Sequence, residues 1–165
     1  MSQTSETLSI QKLWVVRKYH SFDQYQDGAE PYEVVEEKEN VLLNEGIQLM
    51  LDLLIGAGGT AYSNANAYLG VGDDATAEAA TQTGLLAGVN LLYKGMEATY
   101  PQRSGQTVTW RAVFGDAEAN YAWNEVSLSN AVGGNTGTNL NRKVPGDLGT
   151  KASGTWTLDL QITIS

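Results

Sequence analysis

The chain contains one imidazole, His20, beside Ser21 and Asp23. A hydroxyl, an imidazole and a carboxylate can form a nucleophilic triad, but geometry rather than adjacency makes one. No G-x-S-x-G elbow is present to raise a serine above a sheet, so His20 reads as a strand-end histidine. Paired carboxylates could hydrolyse glycosides, with Asp116, Glu118 and Glu125 as candidates. Asp116 and Glu118 fall in G-D-A-E-A-N, just past a strand pattern, where turn acids are common. Arg111 and Glu125 could form a cross-strand pair. Gly70-x-Gly72 lacks the third glycine and the following helix of a dinucleotide loop. Asp73 and Asp74 read as turn-formers. Trp110 and Trp156 fall on apolar faces and read as core. Trp14 and Trp123 could instead be exposed as a carbohydrate platform.

Composition narrows the chemistry further. There is no cysteine, which excludes disulfides, thiolate metal sites and a Cys nucleophile. A single histidine excludes a His-rich metal centre, and no cofactor is expected. The net charge is −9, from 19 acidic and 10 basic side chains. That balance argues against nucleic acid, which calls for Lys and Arg on its phosphates. Eight acids and one base lie between Asp23 and Glu45. No EF-hand spacing occurs among them, so they read as a solvated face or as a docking surface for a basic partner. The polar start lacks a secretory pattern. The apolar run over residues 41–55 is interrupted by Asn44, Glu45, Gly46, Gln48 and Asp52, which argues against a membrane span.

The elements that must position these residues are mostly strands. Residues 155–164 alternate with a period of two: Trp156, Leu158, Leu160, Ile162 and Ile164 on a buried face, Thr155, Thr157, Asp159, Gln161 and Thr163 on a wet one. Residues 106–114 alternate likewise. Strands are also expected over 10–20, 32–40, 67–72, 91–100, 121–129 and 140–144. Both faces of 10–20 are mixed, which suits a strand packed between two partners. Ile47, Met50, Leu51 and Leu54 recur at i, i+3, i+4, i+7 and predict a helix over 44–55, capped by Asn44 and ended by Gly56, its stripe facing the core. Residues 21–31, 73–84 and 130–138 read as loops. The expected fold is mainly β: an antiparallel β-sandwich, jelly-roll-like, with one α-helix at about 44–55 and an extended N-terminal arm. The arm covers residues 1–40 with one or two strands, and the sandwich body covers 41–165. Such an arm can add to a neighbouring chain's sheet edge. That assigns Trp14, Arg17, Tyr19, Glu33, Glu36 and Glu37 as candidate partner-binding residues.

Several runs carry a resemblance. They are N-V-L-L-N-E-G-I-Q-L-M-L-D-L-L-I-G at 40–56, A-Y-L-G-V-G-D-D at 67–74 and T-V-T-W-R-A-V-F-G-D-A-E-A-N at 107–120. W-N-E-V-S-L-S-N at 123–130 and L-N-R-K-V-P-G-D-L-G-T-K-A-S-G-T-W-T-L-D-L-Q-I-T-I at 140–164 complete the pattern. The chain resembles small virion structural proteins of tailed bacteriophages, over about three quarters of its length. The resemblance implies a non-enzymatic virion protein, made in the host cytoplasm. A capsid decoration (cement) protein on the outer surface of the head is the first form. Its partners would be the major capsid protein and copies of itself as a homo-oligomer, with no nucleic acid and no membrane. A tail, baseplate or fibre-associated protein, partnered by tail proteins, is the alternative, with loops 73–84 and 130–138 as host contacts. A carbohydrate-binding β-sandwich is the third reading.

Overall fold

The period-two alternation near the C-terminal end becomes the longest strand of the fold, and the first sheet forms around it. In the computed structural model, which describes residues 6–133 and 136–165, ten strands and two helices follow in order. They are β1 (Ile10–Tyr19), α1 (Phe22–Gln26), β2 (Glu33–Lys38), β3 (Val41–Leu42), α2 (Asn44–Ile55) and β4 (Tyr68–Gly72). β5 (Leu91–Gly95), β6 (Gln102–Ser104), β7 (Thr107–Phe114), β8 (Glu125–Ser129), β9 (Asn139–Lys143) and β10 (Thr155–Ile164) complete them. The first sheet has the order β2-β1-β10-β7-β6 and the second β3-β9-β8-β4-β5. All pairings are antiparallel. The chain is therefore mainly β, in a two-sheet, sandwich-like arrangement.

The core lies between the sheets. Trp14, Val16, Trp110, Ala112, Phe114, Trp156, Leu158 and Leu160 meet Leu69, Val71, Val126, Leu128 and Leu140 from the other side. At one end Trp123 stands edge-on to Phe114 and to Trp156, with both pairs of ring centroids 5.0 Å apart. Edge-to-face contacts place the positive edge of one ring on the negative face of the next. The inward faces of β7 and β10 are those the alternation predicts.

Residues 10–38 do not form an arm. β1 is an interior strand, paired over ten residues with β10 (Ile10 to Ile164 through Tyr19 to Thr155) and on its other side with β2. Trp14 and Val16 are fully buried. The mixed patterning of both faces had this cause: one face meets the other sheet, and the opposite face is covered in part, at Val15 and Tyr19. The division at residue 40 fails because acidity marks the surface of β2 and the adjoining turns, and acidity says nothing about main-chain pairing.

Three further expectations change. The segment 21–31 contains α1, whose N-cap Ser21 side chain accepts from the Gln24 amide; Ser21-x-x-Gln24 is a capping-box spacing that signals it. In α2, Asn44 is the first helical residue rather than the cap. Leu43 takes the cap position without a side-chain bond, and the Asn44 amide donates to the Ala80 carbonyl. Gly56 ends α2 in the left-handed conformation, as expected. The expected wet face of β10 is dry over its first half: Thr155, Thr157 and Asp159 are buried, while Gln161 and Thr163 are half-buried.

The interior place of β1 gives a direct expectation. Deletion of residues 1–38 removes two of five strands from the first sheet and uncovers β10. The truncated chain should lose its cooperative thermal transition in circular dichroism. A truncated chain melting within a few degrees of the full chain would restore the arm.

Candidate functional site

Asp159 anchors the outer face of the first sheet. It lies opposite Val15 on β1 and Arg111 on β7. Arg111 donates through Nε to Asp159 Oδ1 at 2.7 Å and through Nη2 to Oδ2 at 2.6 Å. Arg17 donates to Oδ2 at 2.8 Å from the other flank. The carboxylate is 1% exposed, while both arginine side chains keep a quarter or so of their surface in solvent. Hydrogen bonding to Asp159 holds the Arg111 guanidinium more firmly cationic, against the effect of its own burial. The Tyr100 ring lies beneath Arg111, 4.8 Å from centroid to guanidinium carbon. Burial, then the nearby Glu97 charge, pushes the Tyr25 hydroxyl up. One buried charge is thus shared by a forked guanidinium and a second one that donates a single bond, an arrangement that makes a buried carboxylate tolerable.

A second buried pair anchors the outer face of the other sheet. Arg142 donates through Nε to Glu125 Oε2 at 2.8 Å, and both side chains are fully buried. Glu125 also accepts from the Leu86 and Ala87 amides. Arg142 Nη1 donates to the Thr76 carbonyl and to Gln82 Oε1. Four points of the long loop after β4 are pinned to the sheet in this way. Gly70 and Gly72 make the room. A Cβ at Gly72 would stand 2.4 Å from Glu125 Oε1, and one at Gly70 would stand 2.6 Å from the Tyr93 ring. The Gly-x-Gly pattern therefore seats a carboxylate and an aromatic ring. Burial pushes the Tyr93 hydroxyl up to about 12. Arg111 and Glu125 do not pair with each other as expected, because they belong to different sheets.

The G-D-A-E-A-N turn uses its acids as braces. Asp116 accepts from the Phe22 amide at 3.1 Å and from Thr155 Oγ1 at 2.7 Å. Glu118 accepts from the Gly115 amide and from Lys94. Lys151 donates to the Gly115 carbonyl at 2.8 Å and to Asn120 Oδ1 at 2.7 Å. Burial pulls its ammonium pKa down, opposed by Asp116 and Glu118. Trp14 and Trp123 are buried in the core, so neither offers a platform to a sugar.

The candidate partner-binding residues separate. Trp14 is in the core, and Arg17 is committed to Asp159. Tyr19 is buried edge-on to Tyr25, 5.4 Å between centroids. Glu33 pairs with Lys18 at 2.7 Å, and Lys18 lies over the Trp156 ring. Glu37 accepts from the Gly146 amide. Glu36 is exposed on β2, an edge strand of the first sheet. His20 is exposed and stacks on Tyr32 at 4.4 Å. The structure places these residues on the paired strands β1 and β2 and just past the end of β1 without gathering them into a single site.

The outward-facing apolar surface lies elsewhere, on α2. Gly46 lets the helix touch β9: a Cβ there would stand 2.5 Å from Leu140 Cα. Glu45 accepts from the Asn139 amide and fixes the first turn. Leu49 is buried beneath the returning loop, where Gly59 approaches its side chain. Of the expected core stripe only Met50 packs against the core, and its other three residues point outward. Ile47 is exposed, Leu51 is 56%, Leu54 80% and Ile55 76% exposed. Beside the helix is an apolar groove of about 200 Å³ between Met50, Tyr62, Val108, Trp110, Leu140 and Ile162. The signal for this face was in the sequence. Leu49 and Leu53 fall outside the stripe, so the helix is apolar on two sides and one side is left over. Among the described residues, no helix is long and apolar enough to cross a membrane.

The chain matches no family model, no curated protein and no solved structure. Fold and surface together define a β-sandwich whose buried charges hold its own loops and whose apolar helix face looks outward.

Two outcomes are expected. Asp159→Asn leaves two guanidiniums around a neutral amide and should destabilise the fold by about 3 kcal/mol in urea unfolding. Less than about 1 kcal/mol would mean solvent replaces the carboxylate. Burial raises the Glu118 carboxyl, but bonds from Lys94 and the Gly115 amide outweigh it and hold the group below its usual value of 4.5. Its folded-state pKa is depressed, so its contribution is full above about pH 4.5 and disappears as pH falls through the lower folded value. Glu118→Gln should lower Tm at pH 7 and flatten its fall on the acid side. Parallel curves for the two proteins would contradict this.

Proposed function

We propose that the chain is a structural protein of a tailed-phage particle, a capsid decoration protein that bridges subunits of the head shell. The outward apolar face of α2 carries the reading. Leu51, Leu54 and Ile55 stand in solvent on a well-anchored helix, and a helix apolar on two sides is stable in water when both are covered. Contiguous apolar surface on a soluble domain marks a contact with another macromolecule. The resemblance to small virion proteins supports the same reading. So does the acidity, which repels DNA and suits a place outside the shell. The exposed acids of β2 and its flanks, Glu30, Glu36 and Glu39 among them, offer a complementary surface to a basic patch on the shell. Binding the assembled shell and not its free subunits stabilises the shell by linkage, and a modest contact repeated around the lattice suffices.

The test is binding to purified capsid shells, before and after expansion, imaged by electron microscopy. Regular density on the shell and a higher shell melting temperature are expected. Bare shells, with density on tails alone, would move the protein to the tail. The pinned loop over residues 73–90 would then be a rigid contact surface there.

A further inference from the structure

We infer that α2 pairs antiparallel with α2 of a second copy, about a two-fold axis near Leu51. The inference rests on the reading of α2 as a contact face; it gives that face to a second copy and leaves the acidic edge at β2 for the particle. Four observations favour a second copy over another partner.

The spacing is self-complementary. Ile47, Leu51 and Ile55 stand four residues apart and share one face with Leu54. Reversal about Leu51 sets Ile47 against Ile55 of the other copy and Leu51 against itself. A two-fold contact requires this property, the same patch on both partners.

Charge separates the two surfaces. A basic partner would be drawn to the acidic edge at β2, and the repulsion between two copies of net charge −9 is screened by salt. The face of Ile47, Leu51, Leu54 and Ile55 holds no charge. Asp52 and Gln48 lie to its side, and two copies can meet there without desolvating an unpaired carboxylate.

The area is close to what is needed. The apolar side chains of α2 leave on the order of 500 Å² exposed, at the upper range of patches on monomers. A stable interface takes about 800 Å² per partner. The groove beside Met50 and the exposed loop over residues 56–61 adjoin the helix and can supply the difference.

The support is rigid. Gly46 against Leu140, Glu45 against the Asn139 amide and Leu49 under Gly59 fix the helix on the body. The outward face is therefore presented without an ordering cost, which favours association.

The full chain is to be weighed by analytical ultracentrifugation at roughly 100 µM, above the micromolar Kd that a small apolar interface gives. A mass twice that of the 17.7 kDa chain is expected. Leu54→Glu should return it to the mass of one chain with an unchanged circular dichroism spectrum, since Leu54 is largely solvent-exposed and its replacement leaves the fold intact. The chain has no cysteine, so Leu51→Cys reports the axis directly. It should oxidise to a disulfide-linked dimer at least ~tenfold faster than Val89→Cys, an exposed position away from the helix. A single-chain mass for the unaltered protein, a dimer that survives Leu54→Glu, or equal rates for the two cysteine variants would each overturn the pairing. A single-chain mass together with density on shells would overturn the pairing alone. A dimer abolished by Leu54→Glu, with no density on shells or tails, would remove the particle reading and leave the pairing in place.

Discussion

The pairing of β1 with β10 is the constraint on which the structure depends. It runs for ten residues, from Ile10 with Ile164 to Tyr19 with Thr155. Through it β2 reaches the sheet, and Trp14 and Val16 enter the core beside Leu158 and Leu160. The same pairing lets Arg17 approach Asp159 from one side while Arg111 approaches from the other. Neither sheet face is left simple. The inner face packs against the second sheet, and the outer face carries a buried carboxylate because two strands bring arginines to it.

The two buried ion pairs solve the same problem differently. Asp159 is held by neighbours within its sheet, and its arginines remain partly wet. Glu125 and Arg142 are dry, and Arg142 Nη1 and both carboxylate oxygens of Glu125 also bond a loop. Burying a charge without such partners costs several kcal/mol. The loop after β4 therefore cannot lift away without stranding both groups. Acids and bases that might have suggested catalysis are consumed in holding loops and turns. What faces outward is the apolar side of α2 and the acidic edge at β2.

Much of the fold was legible in the sequence, and the reasons for the rest are physical. Period-two patterning located β7 and β10 and their inward faces, because one side of each lies in the core. The helix over 44–55 and its stop at Gly56 were legible from spacing and from glycine's left-handed freedom. What alternation could not give was the state of the second face. Thr155, Thr157 and Asp159 look like solvent residues and are buried, because threonine is compact and Asp159 is neutralised by residues distant in the chain. The stripe on α2 was readable as a stripe but not as outward. A helix with two apolar sides does not say which one its own body takes, and that choice was made by Gly46 fitting against Leu140. The acidic segment misled in the opposite sense. Its charges lie on the surface of β2 and adjoining turns, while the strand before it sends Trp14 and Val16 into the core.

The partners in the first sheet are far apart in time as well as in sequence. Arg17 and Asp159 are separated by 142 residues, so the ribosome needs on the order of ten seconds between the two strands. Through that interval β1 and β2 can form a hairpin, but Trp14, Val15 and Val16 have no β10 to join. The first sheet can close only after β10 leaves the exit tunnel. Closure of the first sheet is therefore dominated by distant contacts, a slow class of topology. The nascent hairpin, with an open apolar edge, is the species a ribosome-bound chaperone would meet.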